Sequence, residues 1–77
     1  METRVKLFND LGMLTGIIWE NDNIKIKEER AKDGTLLYAS LYVNNEFSGT
    51  IPCRKIEREE MIYTGEAYIK KEEVKEW

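Results

Sequence analysis

The sequence predicts an all-β domain: a small antiparallel barrel or strongly curled sheet of five or six short strands, with a short C-terminal helix or helical turn. Three observations carry this. Apolar and polar residues alternate through Val5-Lys6-Leu7, through Ile24-Lys25-Ile26-Lys27 and along Phe47, Gly49, Ile51 and Cys53. Turn-forming pairs such as Asp33-Gly34 and Asn44-Asn45 break that alternation at short intervals. The chain has 77 residues, enough for one domain over residues 1–77 and no more. Short strands in so small a domain need closure or curling to remove exposed edges. Apolar residues at 42% and charged residues at 35% fit a globular chain rather than a disordered one.

Each element has its own local signal. Val5 and Leu7 alternate with Lys6, and Asn9-Asp10-Leu11-Gly12 supplies turn chemistry. Residues 13–19 are rich in β-formers, and Glu20-Asn21-Asp22-Asn23 turns the chain into Ile24. Asp33-Gly34 is the strongest signal, the pair favoured in a two-residue type I′ hairpin turn. Pairing outward from it sets Ile26 opposite Leu41 and Ile24 opposite Val43 on one face, which Ala39 and Leu37 extend. The other face pairs Lys25 with Tyr42, Lys27 with Ser40 and Glu29 with Tyr38, and Leu36 continues it.

Asn44-Asn45 marks a second hairpin. A two-residue loop would set Phe47 opposite Tyr42. A three-residue loop pairs Phe47 with Val43 and Ile51 with Ala39, gathering apolar residues on one side, and is the expected register. Residues 54–60 read as a helical turn or a charged connection. Met61-Ile62-Tyr63 and Ala67-Tyr68-Ile69 read as strand ends around Thr64-Gly65-Glu66, and Lys70 to Trp77 as a short helix.

Composition narrows the chemistry. With no histidine and one cysteine, Cys53, the chain can build neither a four-ligand structural zinc site nor an internal disulfide. No cofactor is expected. Ser40, Ser48 and Cys53 lack an imidazole base, and Cys53 shares the apolar register of Ile51, where a thiol is inert. Glu28-Glu29 and similar neighbours in a strand point to opposite faces and cannot flank one substrate. The expectation is a protein that is not an enzyme. No stretch approaches the roughly 18 apolar residues of a membrane span. A lone cysteine without a signal-like segment fits the cytoplasm. The abundance of Ile, Lys, Glu and Asn points to a low-GC bacterium or to a phage or other mobile element.

Two segments resemble known small barrels. Val5-Lys6-Leu7, Gly12, Gly16-Ile17-Ile18, Asp22 and Ile24 resemble the first motif of Sm-like proteins, with Gly16 before a strand and Asp22 in the following loop. That covers about a quarter of the chain. The later Arg-Gly signature of the Sm RNA pocket is absent. Residues 49–56, with Pro52, resemble a late strand of Src-homology-type or Sm-like barrels. These resemblances imply a fold rather than a function.

The aromatic residues point to recognition. Tyr38 and Tyr42 lie on one face of the ribbon, and Trp19, Tyr63, Tyr68 and Trp77 add large rings to a domain with little interior. Tyr and Trp beside Lys and Arg dominate protein interfaces, because they bury much area at low rotamer cost. The expected function is a protein-binding module, a small adaptor or inhibitor. Tyr38, Tyr42 and Leu36 are its anchors, and Lys25, Lys27 and Glu29 its polar rim. The same patch could instead close a homodimer, or be covered at one end by Val74 or Trp77. A single-stranded nucleic-acid platform of tyrosines and lysines stands second. Against it is the net charge of −3, from 15 acidic and 12 basic residues.

Overall fold

A computed structural model of the chain describes residues 2–73. Its strands are β1 (Glu2–Phe8), β2 (Leu14–Glu20), β3 (Ile24–Arg30), β4 (Leu36–Val43), β5 (Glu46–Pro52), β6 (Lys55–Tyr63) and β7 (Tyr68–Lys70). They form two antiparallel sheets, of order β2-β1-β6-β7 and β3-β4-β5. The all-β expectation holds, but the described residues form seven strands rather than five or six, because residues 55–60 are strand and Tyr68–Lys70 adds a short one. They pair as two sheets instead of one continuous barrel. After β7, residues Lys71–Glu73 make a single 3-10 turn. The rest of the expected C-terminal helix, with Val74 and Trp77, lies outside the described residues.

The core forms where the two sheets face each other. Val5 and Leu7 of β1 cluster with Ile26 of β3, Leu36 and Ala39 of β4, and Cys53, while Ile18, Leu41, Ile51 and Ile56 pack around them. Strand alternation explains the choice, because residues two apart share a face. Thus Val5 and Leu7 turn inward and Arg4 and Lys6 outward.

Side chains of one sheet also satisfy the backbone of the other. Glu20 Oε2 accepts from Ile26 N at 2.8 Å, and Arg58 Nη2 donates to Ile26 O at 3.0 Å. Arg58 is held in turn by Glu20 at 2.9 Å and by Glu28 at 3.4 Å. At the opposite side Arg54 N donates to Phe8 O at 2.7 Å.

Three local expectations need correction. The first hairpin keeps the expected pairs from Ile24↔Val43 to Glu29↔Tyr38, but its turn is longer. Gly34 N donates to Ala31 O and Ala31 N to Thr35 O, with Gly34 at φ +91°, so the loop is Lys32-Asp33-Gly34. Arg30 therefore pairs with Leu36, and Leu37 is the extra residue of a bulge. That shift turns Leu36 into the core at 3% exposure and leaves Leu37 outside.

The second hairpin combines both registers considered. Asn44 and Asn45 adopt φ of 52° and 67°, the two-residue turn that asparagine tolerates, and Tyr42 pairs with Phe47. A bulge at Ser48 then restores Ala39↔Ile51. The third correction is β6. Residues 55–60 are strand, paired with β1 from Phe8↔Lys55 to Glu2↔Met61. Their high charge concealed the alternation, because that strand faces ion-pair partners on both sides.

Candidate protein-binding surface

The outer face of the β3-β4-β5 sheet carries five of the six expected site residues. Its register arranges them in rows: Lys25, Tyr42, Phe47; then Lys27, Ser40, Thr50; then Glu29, Tyr38, Pro52. Tyr42 and Phe47 meet edge to face, with ring centres 5.9 Å apart at 73°. Phe47 is 61% exposed and Tyr38 39%, while Tyr42 is half-buried. Leu36, the sixth, is a core residue and no part of this surface. Phe47 was missed as a site residue. Its signal was the Asn-Asn pair, whose tolerance of positive φ favours the two-residue loop that sets Phe47 beside Tyr42.

The charges on this face are only partly engaged. Ser40 is buried on the central strand and its hydroxyl donates to Glu29 Oε1 at 3.2 Å. Lys27 lies 3.9 Å from the same oxygen. Among the described residues Lys25 makes no ion pair. The Tyr42–Phe47 end is therefore apolar with a cation beside it, and the Tyr38 end is apolar with a carboxylate beside it.

The other outer face, on β2-β1-β6-β7, holds the remaining aromatic residues. Trp19 and Tyr68, from opposite edges, approach to 4.9 Å between ring centres, and Tyr63 stacks on Tyr68 at 5.0 Å. Met61, on the same face, is 3% exposed and lies outside the main core cluster. Glu59 accepts from Lys6 at 2.9 Å, Lys70 at 3.0 Å and Arg4 at 3.2 Å. Hydrogen bonds from Lys6, Lys70 and Arg4 hold its carboxyl down at about 2. A cleft of about 480 Å³ opens nearby, lined by Arg58, Glu59, Glu60, Lys70, Lys71 and Glu72. Most of its charges are paired, Arg58 with Glu20 and Glu28, Glu59 with Lys70, Lys6 and Arg4, and Lys71 with Glu60, which makes it largely a web of ion pairs.

The remaining candidates are structural. Burial pushes the Cys53 thiol up, and Cys53 belongs to the core cluster. Asp22 of the Sm-like segment is exposed, and it is Asn21 Oδ1 that organises the turn by accepting from Asn23 N and Ile24 N. Glu28 and Glu29 reach different partners, Arg30 and Ser40. Among the described residues no group of three acidic or cysteine side chains is placed to hold a metal. No helix among them is long and apolar enough to cross a membrane.

Fold and surface together define a two-sheet, all-β domain with a partly open aromatic face. No family model, curated protein or solved structure matches the chain.

Proposed function

We propose that the chain is a non-catalytic protein-binding module, a small cytoplasmic adaptor or inhibitor, and that the outer β3-β4-β5 face takes its partner. The observation that carries this is the row Lys25-Tyr42-Phe47, an exposed phenylalanine set edge to face on a half-buried tyrosine, beside a cation with no ion pair among the described residues. Interface anchors of this type are rings that a partner can desolvate, rimmed by polar groups. Tyr38 and Pro52 extend the apolar area, and Lys27 and Glu29 form its rim. Of the ten large apolar side chains exposed among the described residues, Tyr38 and Phe47 stand on this face, where a partner could cover them. The size and the Ile, Lys, Glu and Asn content suit a phage or mobile-element product of a low-GC bacterium.

The fold belongs to the same reading. We take the two sheets as the halves of a small, incompletely closed barrel, bridged at Ile26 by Glu20 and Arg58 and at Phe8 by Arg54, and open along residues 16–18 of β2.

A second reading rests on the same row. Two rings beside a lysine are the elements of a stacking platform for single-stranded nucleic acid. Glu29 on this face and the net charge of −3 weigh against it. Affinity capture from an extract of the source cells, repeated from low to high salt, separates the two. Retention of a protein through high salt, and its loss in Tyr42→Glu, is the expected result. Recovery of nucleic acid that is shed steeply as salt rises would replace the first reading by the second.

A further inference from the structure

An open sheet leaves edge N–H and C=O groups that can pair with another strand, and soluble proteins blunt such edges. Most edges here are blunted. The free edge of β3 is occupied at Ile26 by Glu20 and Arg58. β5 has a bulge at Ser48 and ends on Pro52, which has no N–H. β7 is three residues long, and the stretch of β6 that it does not reach, residues 55–60, is charged at every position except Ile56.

β2 is different. It is the outermost strand of its sheet and seven residues long. From Leu11 to Trp19 the chain has neither a charge nor a proline. Leu14 and Ile17 are 50% and 48% exposed. A bulge at Thr15 interrupts its pairing with β1, but Gly16 to Glu20 pair regularly. Among the described residues the backbone groups of Gly16, Ile17 and Ile18 have no hydrogen-bond partner beyond β1.

We infer that β2 is a self-association edge. Two copies of the chain pair antiparallel through β2 about a two-fold axis, joining their four-stranded sheets into one. The occupant is a second copy because the segment complements itself. An axis at Ile17 sets Ile17 against Ile17 of the second copy and Gly16 against Ile18, so a residue without a side chain faces a branched one on each side. No like charges meet, since the stretch has none. The contact lies on a different sheet from the proposed partner face, so each can be broken without the other.

Solution mass by light scattering over a wide concentration range tests this, on the native chain, Ile17→Lys and Tyr42→Glu. The native chain should rise to twice its 9.1 kDa mass. Ile17→Lys should remain a single chain with an unchanged circular dichroism spectrum, and Tyr42→Glu should still dimerise. A native chain that is monomeric throughout, a dimer that survives Ile17→Lys, or a dimer that Tyr42→Glu dissolves would overturn the inference. Amide hydrogen exchange on the native chain decides independently of any variant. Exchange in the Gly16–Ile18 stretch should slow as concentration rises, and concentration-independent exchange there contradicts the pairing.

Discussion

The two outer faces of this domain are built from the same residue types, both keep exposed rings, and they differ in how their charges are paired. On β2-β1-β6-β7 the rings lie against each other and one carboxylate, Glu59, engages Arg4, Lys6 and Lys70. On β3-β4-β5 the carboxylate of Glu29 sits at one end, shared with Ser40 and loosely with Lys27, and Lys25 stands in a row with half-buried Tyr42 and exposed Phe47. Where an acid stands among the bases decides whether the cations of a face are paired within the fold, as Lys6 and Lys70 are, or left without an ion pair, as Lys25 is among the described residues. Counting aromatic and basic residues does not distinguish the two.

The sharpest way to break this comparison is at the boundary between face and core. Leu36→Ala should remove about 2–5 kcal/mol by leaving a cavity, a large share of the stability of a domain this size. Tyr38→Ala, next along the outer face, should cost far less. Urea unfolding midpoints for the pair check it, and equal losses would put Tyr38 in the core as well.

Acid should weaken the fold through the ion pairs of the other face. The Glu59 carboxyl is held at about 2 in the fold against an ordinary value near 4.5. Its ionised form therefore favours folding at neutral pH, and that contribution drains away as pH falls from 4.5 through 2. Asp33 is also lowered, by hydrogen bonds from Thr35, and acts in the same direction. Glu59→Gln should lower stability at pH 7 and flatten the acid limb, leaving the smaller Asp33 contribution. Thermal melts of both chains across that range provide the readout, and parallel pH curves would remove Glu59 from the account.

Binding effects follow. Phe47→Ser and Tyr42→Glu should each weaken partner capture by about tenfold or more, as loss of an interface anchor does, with melting temperatures close to native. Tyr63→Glu on the opposite face should leave capture intact. The smallest effect belongs to Lys25→Glu. It should slow association at low salt and converge with the native chain at high salt, because a rim charge acts mainly through steering. Association rates by surface plasmon resonance at several salt concentrations show which holds.

Much of the fold was legible in the chain. Alternation placed Val5, Leu7 and Ile26 inward, and Asp33-Gly34 located the first hairpin with its base pairs correct. The bulges were not legible. Period-two reasoning assumes an unbroken ladder, so the extra residue at Leu37 reversed Leu36, and the one at Ser48 reconciled two registers that had looked exclusive. β6 was hidden because ion pairs satisfy its outward residues in place of apolar contact. Of the candidate surface, Tyr38, Tyr42, Lys25, Lys27 and Glu29 fell together as pairing from the turn implies. Phe47 did not, since its place depends on the backbone conformation of two asparagines.

The central claim is that the partner is taken on the β3-β4-β5 face, and photo-crosslinking tests it most directly. A photoreactive phenylalanine analogue would replace Phe47 in one chain and Tyr63 in another, each irradiated in extract of the source cells. The account predicts a discrete protein adduct from position 47, abolished by Tyr42→Glu in the same chain, and none from position 63. An adduct from position 63 alone, or none from position 47, would contradict it.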